Sequence, residues 1–150
     1  MHTKWHILFG FVFSYLLIYF FNFSLLAGII IFFSSVLIDA DHYLRYLILK
    51  KDWNPIKFWN WSETQKEKWK KLSFRQKNQY KMPIFIFHGI EFFAIIIALS
   101  FLHPIFFWIL LGIILHFILD FIEIIYLKNP LYMKFSQILN FTTKKKKSFD

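Results

Sequence analysis

A chain of 150 residues that is 57% hydrophobic and 23% aromatic, with mean hydropathy +0.46, lies far outside the composition of a soluble domain. The net charge of +9 would suit a nucleic-acid binder, but the basic residues stand beside apolar runs, where anionic lipid headgroups are their natural partners, so nucleic acid is set aside. With no Cys in the chain, disulfides and thiolate ligands are excluded, and any metal must take nitrogen and oxygen donors.

Four apolar runs follow one another: Trp5 to Phe21, Ser24 to Ile38, Pro83 to Leu102 and Ile105 to Leu127. A membrane span needs about 20 residues at ~1.5 Å each to cross ~30 Å of hydrocarbon. The first two runs are short, so each is expected to continue at its polar end, through Thr3 and Lys4 and through Asp39 to Tyr46. The expected architecture is therefore an all-α membrane protein of one domain over 1–150, with spans at about 5–21, 24–42, 83–102 and 105–127. Asn22-Phe23 and His103-Pro104 would close two tight helical hairpins.

Lys and Arg fall only at the N-terminal tip, from Arg45 to Lys81, and from Lys128 onward. By the positive-inside rule these regions, both termini included, face the cytoplasm, and the expected location is the inner (plasma) membrane. The first run lacks a small-residue cleavage site and leads straight into a second, so it reads as a retained span rather than a signal peptide. The segment 45–81 mixes Trp53, Trp59, Trp61 and Trp69 with lysines, a headgroup-layer composition. Within it Ser62 and Gln65 have capping-box spacing, predicting a short helix from about Glu63 to Gln79. The basic tail 128–150 ends in the charge run Lys144 to Lys147, expected to be solvated or lipid-touching.

The acids and histidines inside the runs carry the functional signal. They are His6, then Asp39, Asp41 and His42, then His88 and Glu91, and finally His116, Asp120 and Glu123. Up-down threading of four spans puts all of them in one layer, with Asp39, His88 and Asp120 each on the order of 10 Å deep. No Lys or Arg lies inside the same runs, and an ionised acid in hydrocarbon costs several kcal/mol unless paired, hydrated or bound to a cation. A divalent metal is the simplest counter-ion.

His116 and Asp120 at i and i+4 share one helix face, with Glu123 three residues further along; His88 and Glu91 at i and i+3 share another. Asp39 and Asp41 diverge by about 200° on a regular helix. Either the helix loosens there, or Asp39 and His42 form the ligand face while Asp41 orients a ligand from behind; the second reading is preferred. Plainer readings compete: His6 as an interfacial residue, His116 with Asp120 as an interhelical hydrogen-bond pair, Glu91 as a protonated acid, Glu123 as a residue near the interface. His2 and His103 are left out of the site. The expected ligands are His6, Asp39, Asp41, His42, His88, His116 and Asp120, holding one or two ions of Zn or Mn, with Glu91 or Asp41 as catalytic base.

Four segments in order, Trp5-His6-Ile7-Leu8-Phe9-Gly10, Asp39-Ala40-Asp41-His42, Phe87-His88-Gly89-Ile90-Glu91 and Gly112 through His116 to Asp120, resemble the YdjM-type predicted membrane-bound metal-dependent hydrolases. The third departs from that family's H-R-G-x-T-H-S-like pattern, keeping one His and placing Glu91 near the second. The resemblance implies zinc-type hydrolysis. Together with the depth of the site it leads to the expectation of a hydrolase acting on a lipid-borne ester or phosphoester, with membrane lipid as partner. The alternatives are a non-catalytic site that staples the helices and, weakest, an ion transporter.

Overall fold

A computed structural model of the chain describes residues 3–81, 83, 85–130, 136–142 and 147–148. His2 and most of the Lys144–Lys147 run lie outside the described residues. The described residues are mostly helical, and among them one β pairing joins β1 (Tyr80–Lys81) to β2 (Lys147–Ser148) in parallel. Three helical stretches are long and apolar enough to cross a membrane: Lys4–Phe21, Leu25–Lys50 and Pro104–Tyr126.

α1 (Thr3–Phe21) takes in Thr3 and Lys4, and Asn22 ends it with φ 55°, a conformation Asn tolerates better than most residues. Ser24 then caps α2 (Leu25–Leu37), its Oγ accepting from the Ala27 N–H at 3.2 Å. The second stretch is not one regular helix. It tightens into a turn at Ile38–Asp39, where the Asp39 N–H donates to the Val36 carbonyl, before resuming as α3 (Ala40–Lys50).

Two expected elements are corrected. The helix of the basic segment starts earlier than Glu63, as α4 (Pro55–Lys70). Asn54 caps it, accepting from the N–H groups of Ile56 and Lys57, and Pro55 supplies the preset φ of a first helical residue. Ser62 is thus interior, and the capping box is Ser73 with Gln76, opening the single turn α5 (Phe74–Lys77). Lys77 is buried and donates to the Leu127 carbonyl at the end of the last long helix, while Trp69 Nε1 donates to Asn129. Burial pulls the Lys77 ammonium below the usual lysine range.

The third apolar run is the second correction. Instead of a helix from Pro83, it holds a 3-10 turn at Ile86–His88 and an extended Gly89 (φ −100°, ψ 152°) before α6 (Ile90–Ser100). At 11 residues, α6 is too short to cross a bilayer alone. The non-helical backbone before it is held by side chains: the Phe85 N–H donates to Gln137 Oε1 and the Phe87 N–H to Asp41 Oδ2. Irregular backbone survives at membrane depth only where protein groups satisfy it in this way.

His103 caps α7 (Pro104–Tyr126), which packs on α2, α6 and α1. Ile31, on α2, and Ile113, on α7, are almost fully buried, and Ile38, Ile96 and Ile113 form a buried cluster. Gly112 sets the spacing of α2 and α7: a Cβ there would strike Ser34 Oγ and the Ile31 carbonyl and stand 3.0 Å from the Ser35 nitrogen. Because two of these are backbone atoms, Gly112→Ala is expected to push the helices apart and lower stability by about 1–3 kcal/mol. Thermal unfolding in detergent reads this; an unchanged midpoint would mean the close approach is relaxed in solution.

Candidate metal centre

Four segments bring polar side chains to one point. α1 supplies His6, the turn between α2 and α3 supplies Asp39 with His42 one helical step on, the 3-10 turn supplies His88, and α7 supplies His116 and Asp120. The tightened turn at Ile38–Asp39 and the offset of three residues let Asp39 and His42 face the same way, with Asp39 Oδ1 3.6 Å from His42 Nε2. Asp39 Oδ1 is also 3.4 Å from His88 Nε2 and 3.9 Å from His116 Nε2. Asp120 Oδ2 lies 3.6 Å from His116 Nε2 and 3.8 Å from His88 Nε2, and its Oδ1 lies 3.7 Å from His6 Nε2.

These spacings can be set against coordination geometry. Donors ~2.1 Å from one ion sit about 3.4 Å apart at tetrahedral angles and about 3.0 Å apart at octahedral ones. The observed separations of 3.3 to 3.9 Å lie within about half an ångström of the tetrahedral spacing, within the reach of small side-chain rotations. Three overlapping trios have their ligand atoms within 4.8 Å of one another: His6, Asp39 and His116; Asp39, His42 and His88; His88, His116 and Asp120.

Burial and hydrogen bonding support the fit. His6 and His116 are fully buried, and His88 and Asp120 nearly so. Both ring nitrogens of His6, together with Asp39 Oδ2 and Asp41 Oδ1, are buried without a hydrogen-bond partner. Such orphaned polar atoms are rare because each forfeits its hydration, and an ion taken by one ring nitrogen of His6 would remove part of that penalty. His6 also stacks on His116, ring centroids 4.1 Å apart, which brings two imidazoles to the same edge of the site.

Two groups behind the cluster fix the imidazoles. Asp41 Oδ2 is 3.0 Å from His88 Nδ1, and the Ser35 carbonyl is 2.8 Å from His116 Nδ1. Each acceptor holds a proton on Nδ1, leaving the Nε2 lone pair turned inward, and the two Nε2 atoms stand 3.3 Å apart. Removing the Asp41 carboxylate is therefore expected to cost about 10–100-fold in metal affinity, while Asp41→Asn, which keeps an acceptor, costs less. Competition against a fluorescent chelator measures both; equal loss in the two variants would contradict the orienting role.

The structure brings together His6, Asp39, His42, His88, His116 and Asp120, and sets two expected residues elsewhere. Asp41 contributes no atom to any of the trios, because its Oδ2 is turned to His88 and to the Phe87 N–H. Glu91 lies outside the cluster: its carboxylate accepts from the Ser136 hydroxyl and from the N–H groups of Gln137 and Ile138, at the start of α8 (Gln137–Thr142). A helix start offers unpaired N–H groups, so Glu91 holds the C-terminal segment rather than an ion or a water. Glu123 stands on the wall of the adjoining cavity, and His103 caps α7, its Nδ1 accepting from the Ile105 N–H. Ser35 was not among the residues singled out from the sequence; it acts through its carbonyl, which any residue type supplies.

Two cavities adjoin the cluster. One of about 650 Å³ lies toward α4, reached by Asp39 and His42 and walled by Arg45, Trp59, Lys66 and Trp69. The other, about 430 Å³ and almost wholly apolar, lies between α6 and α7, with His88 and Asp120 on its wall. The His/Asp groups can hold a metal ion. Comparison with family models, with curated proteins and with solved structures gives no match.

Proposed function

We propose that the chain is a membrane-embedded, metal-dependent hydrolase of a lipid-borne ester or phosphoester. The observation that carries this reading is the six-residue His/Asp cluster opening onto a cavity, since a purely structural ion would be closed off by its protein ligands. A bound Zn or Mn ion, one or two in number, supplies Lewis acidity and brings the pKa of a water toward neutrality. His88 and His116, held by Asp41 and the Ser35 carbonyl, give the site a fixed donor set. Asp39 lines the cavity and keeps Oδ2 outside any hydrogen bond, which makes it the carboxylate suited to take a proton from an attacking water. Glu91 and Asp41, both engaged elsewhere, are not given that role. The likeness to the YdjM-type family agrees with hydrolysis.

The proposed setting is the inner membrane with both termini cytoplasmic and four crossings in two hairpins, the third made by α6 together with the non-helical stretch before it. The distribution of Lys and Arg favours this orientation. A cysteine introduced at position 23 is expected to label only from the outer side, and one at position 66 only from the cytoplasm; the reverse pattern overturns the orientation. Elemental analysis of detergent-purified protein is expected to find one or two equivalents of divalent metal per chain. A wild-type protein that holds none, and is indifferent to chelator, ends the hydrolase reading.

A further inference from the structure

We infer that the two cavities receive the two ends of one anionic phospholipid, with its phosphate at the His/Asp cluster, its chain in the crevice between α6 and α7, and its headgroup under α4. This inference rests on the hydrolase reading of the same site and names its substrate class. The two spaces are neighbours: Ile122 lines both, and the cluster stands between them, Asp39 and His42 facing one and His88 and Asp120 the other. Volumes of about 650 and 430 Å³ each fall in the range of sites that enclose a ligand, roughly 300–1,000 Å³.

The chemistry of the two walls differs as the two ends of a lipid do. The crevice is lined by Ile90, Phe93, Ile114, Phe117, Ile118 and Phe121, and Ile118, Phe121 and Ile122 are half exposed on a membrane-spanning helix, so the space opens sideways to lipid. The other cavity carries Arg45, Lys66 and Lys70 beside tryptophans. Asp39, Glu63 and Glu123 on the same wall balance those three cations, so a bound divalent ion tips the site toward an anion. A soluble phosphate ester uses only the basic cavity; a neutral lipid uses only the crevice. An anionic phospholipid uses both and needs no withdrawal from the bilayer.

The full chain in lipid nanodiscs is tested with a phosphatidylglycerol bearing a diazirine midway along one chain, with and without zinc, and the adducts are mapped by mass spectrometry. Adducts on Phe93, Phe117 or Ile118 are expected, and zinc should raise their yield. Ile122→Trp, which fills the junction, should lower the yield at least tenfold, and Ile118→Trp should do the same from the outer rim. Ile125→Trp, also lipid-exposed but outside both cavities, should not; retained metal content shows that each variant is folded. Arg45→Gln should weaken binding of the lipid several-fold. Unchanged labelling in Ile122→Trp and Ile118→Trp, or glycerol phosphate competing as well as the lipid does, overturns the inference. A lipid that labels the crevice and is never cleaved upholds this binding mode and removes the hydrolase reading; cleavage without crevice labelling does the opposite.

Discussion

His116→Ala and Asp120→Ala are each expected to strip the metal from the purified protein, whereas His103→Ala keeps it. His116 belongs to two of the three ligand trios and Asp120 reaches both His88 and His6, so either change breaks the most deeply buried trio, His88, His116 and Asp120. An ion at 1,000 times its Kd stabilises the folded state by about 4 kcal/mol, and that increment should vanish in both variants. Scanning calorimetry with and without chelator measures it. In chelator the two variants should lie closer to wild type than they do with metal present, because the ion's contribution is then absent from all three. A variant equally destabilised in both conditions would assign Asp120 to packing.

Asp39→Asn and His88→Ala are expected to abolish release of a water-soluble headgroup product from inner-membrane lipids supplied with Zn or Mn. Loss of a general base costs roughly 10²–10⁴ in rate, and His88→Ala additionally removes the donor that Asp41 orients. Phosphorus NMR of the aqueous phase follows the product. Glu91→Gln separates the two carboxylates: holding α8 rather than a water, it should leave the rate per folded molecule near wild type while loosening the C-terminal segment, seen as faster proteolysis beyond Ser136. Equal turnover by wild type, Asp39→Asn and His88→Ala would move the site to the stapling role, in which the ion ties helices and performs no chemistry.

The candidate ligand residues were legible because acids and histidines stand out inside apolar runs and because spacing decides which of them share a face. The divergence of Asp39 and Asp41 on a helix favoured Asp39 facing the centre and Asp41 orienting some ligand from behind, and the structure identifies the residue Asp41 holds as His88. What escaped the sequence depends on partners distant along the chain. Glu91 matched a ligand by position, but the three donors that occupy it come from 136–138, which no local pattern links to it. The run from Pro83 read as a helix because apolar composition does not separate helix from extended backbone; Gly89 and the acceptors Gln137 and Asp41 decide it. In the basic segment two capping patterns competed, and Asn54-Pro55 prevails because a proline preset for the first turn adds to the side-chain cap.

The donors are spread across the chain, and this gives the cluster a timetable. His6 emerges well before its partner at 3.7 Å, Asp120, which follows 114 residues later (120 − 6). At about 5–20 residues per second, several seconds separate them. Through that interval His6 and Asp39 lie in the membrane without the helix that completes their site, and only their nearness to the basic, aqueous side keeps them hydrated. The two trios that use His116 therefore form only once α7 is in place, whereas Asp39, His42 and His88 are all synthesised before it. On the metal-site reading, a ribosome-stalled chain ending before residue 104 would offer those three alone, and full loading would report that the bundle has closed.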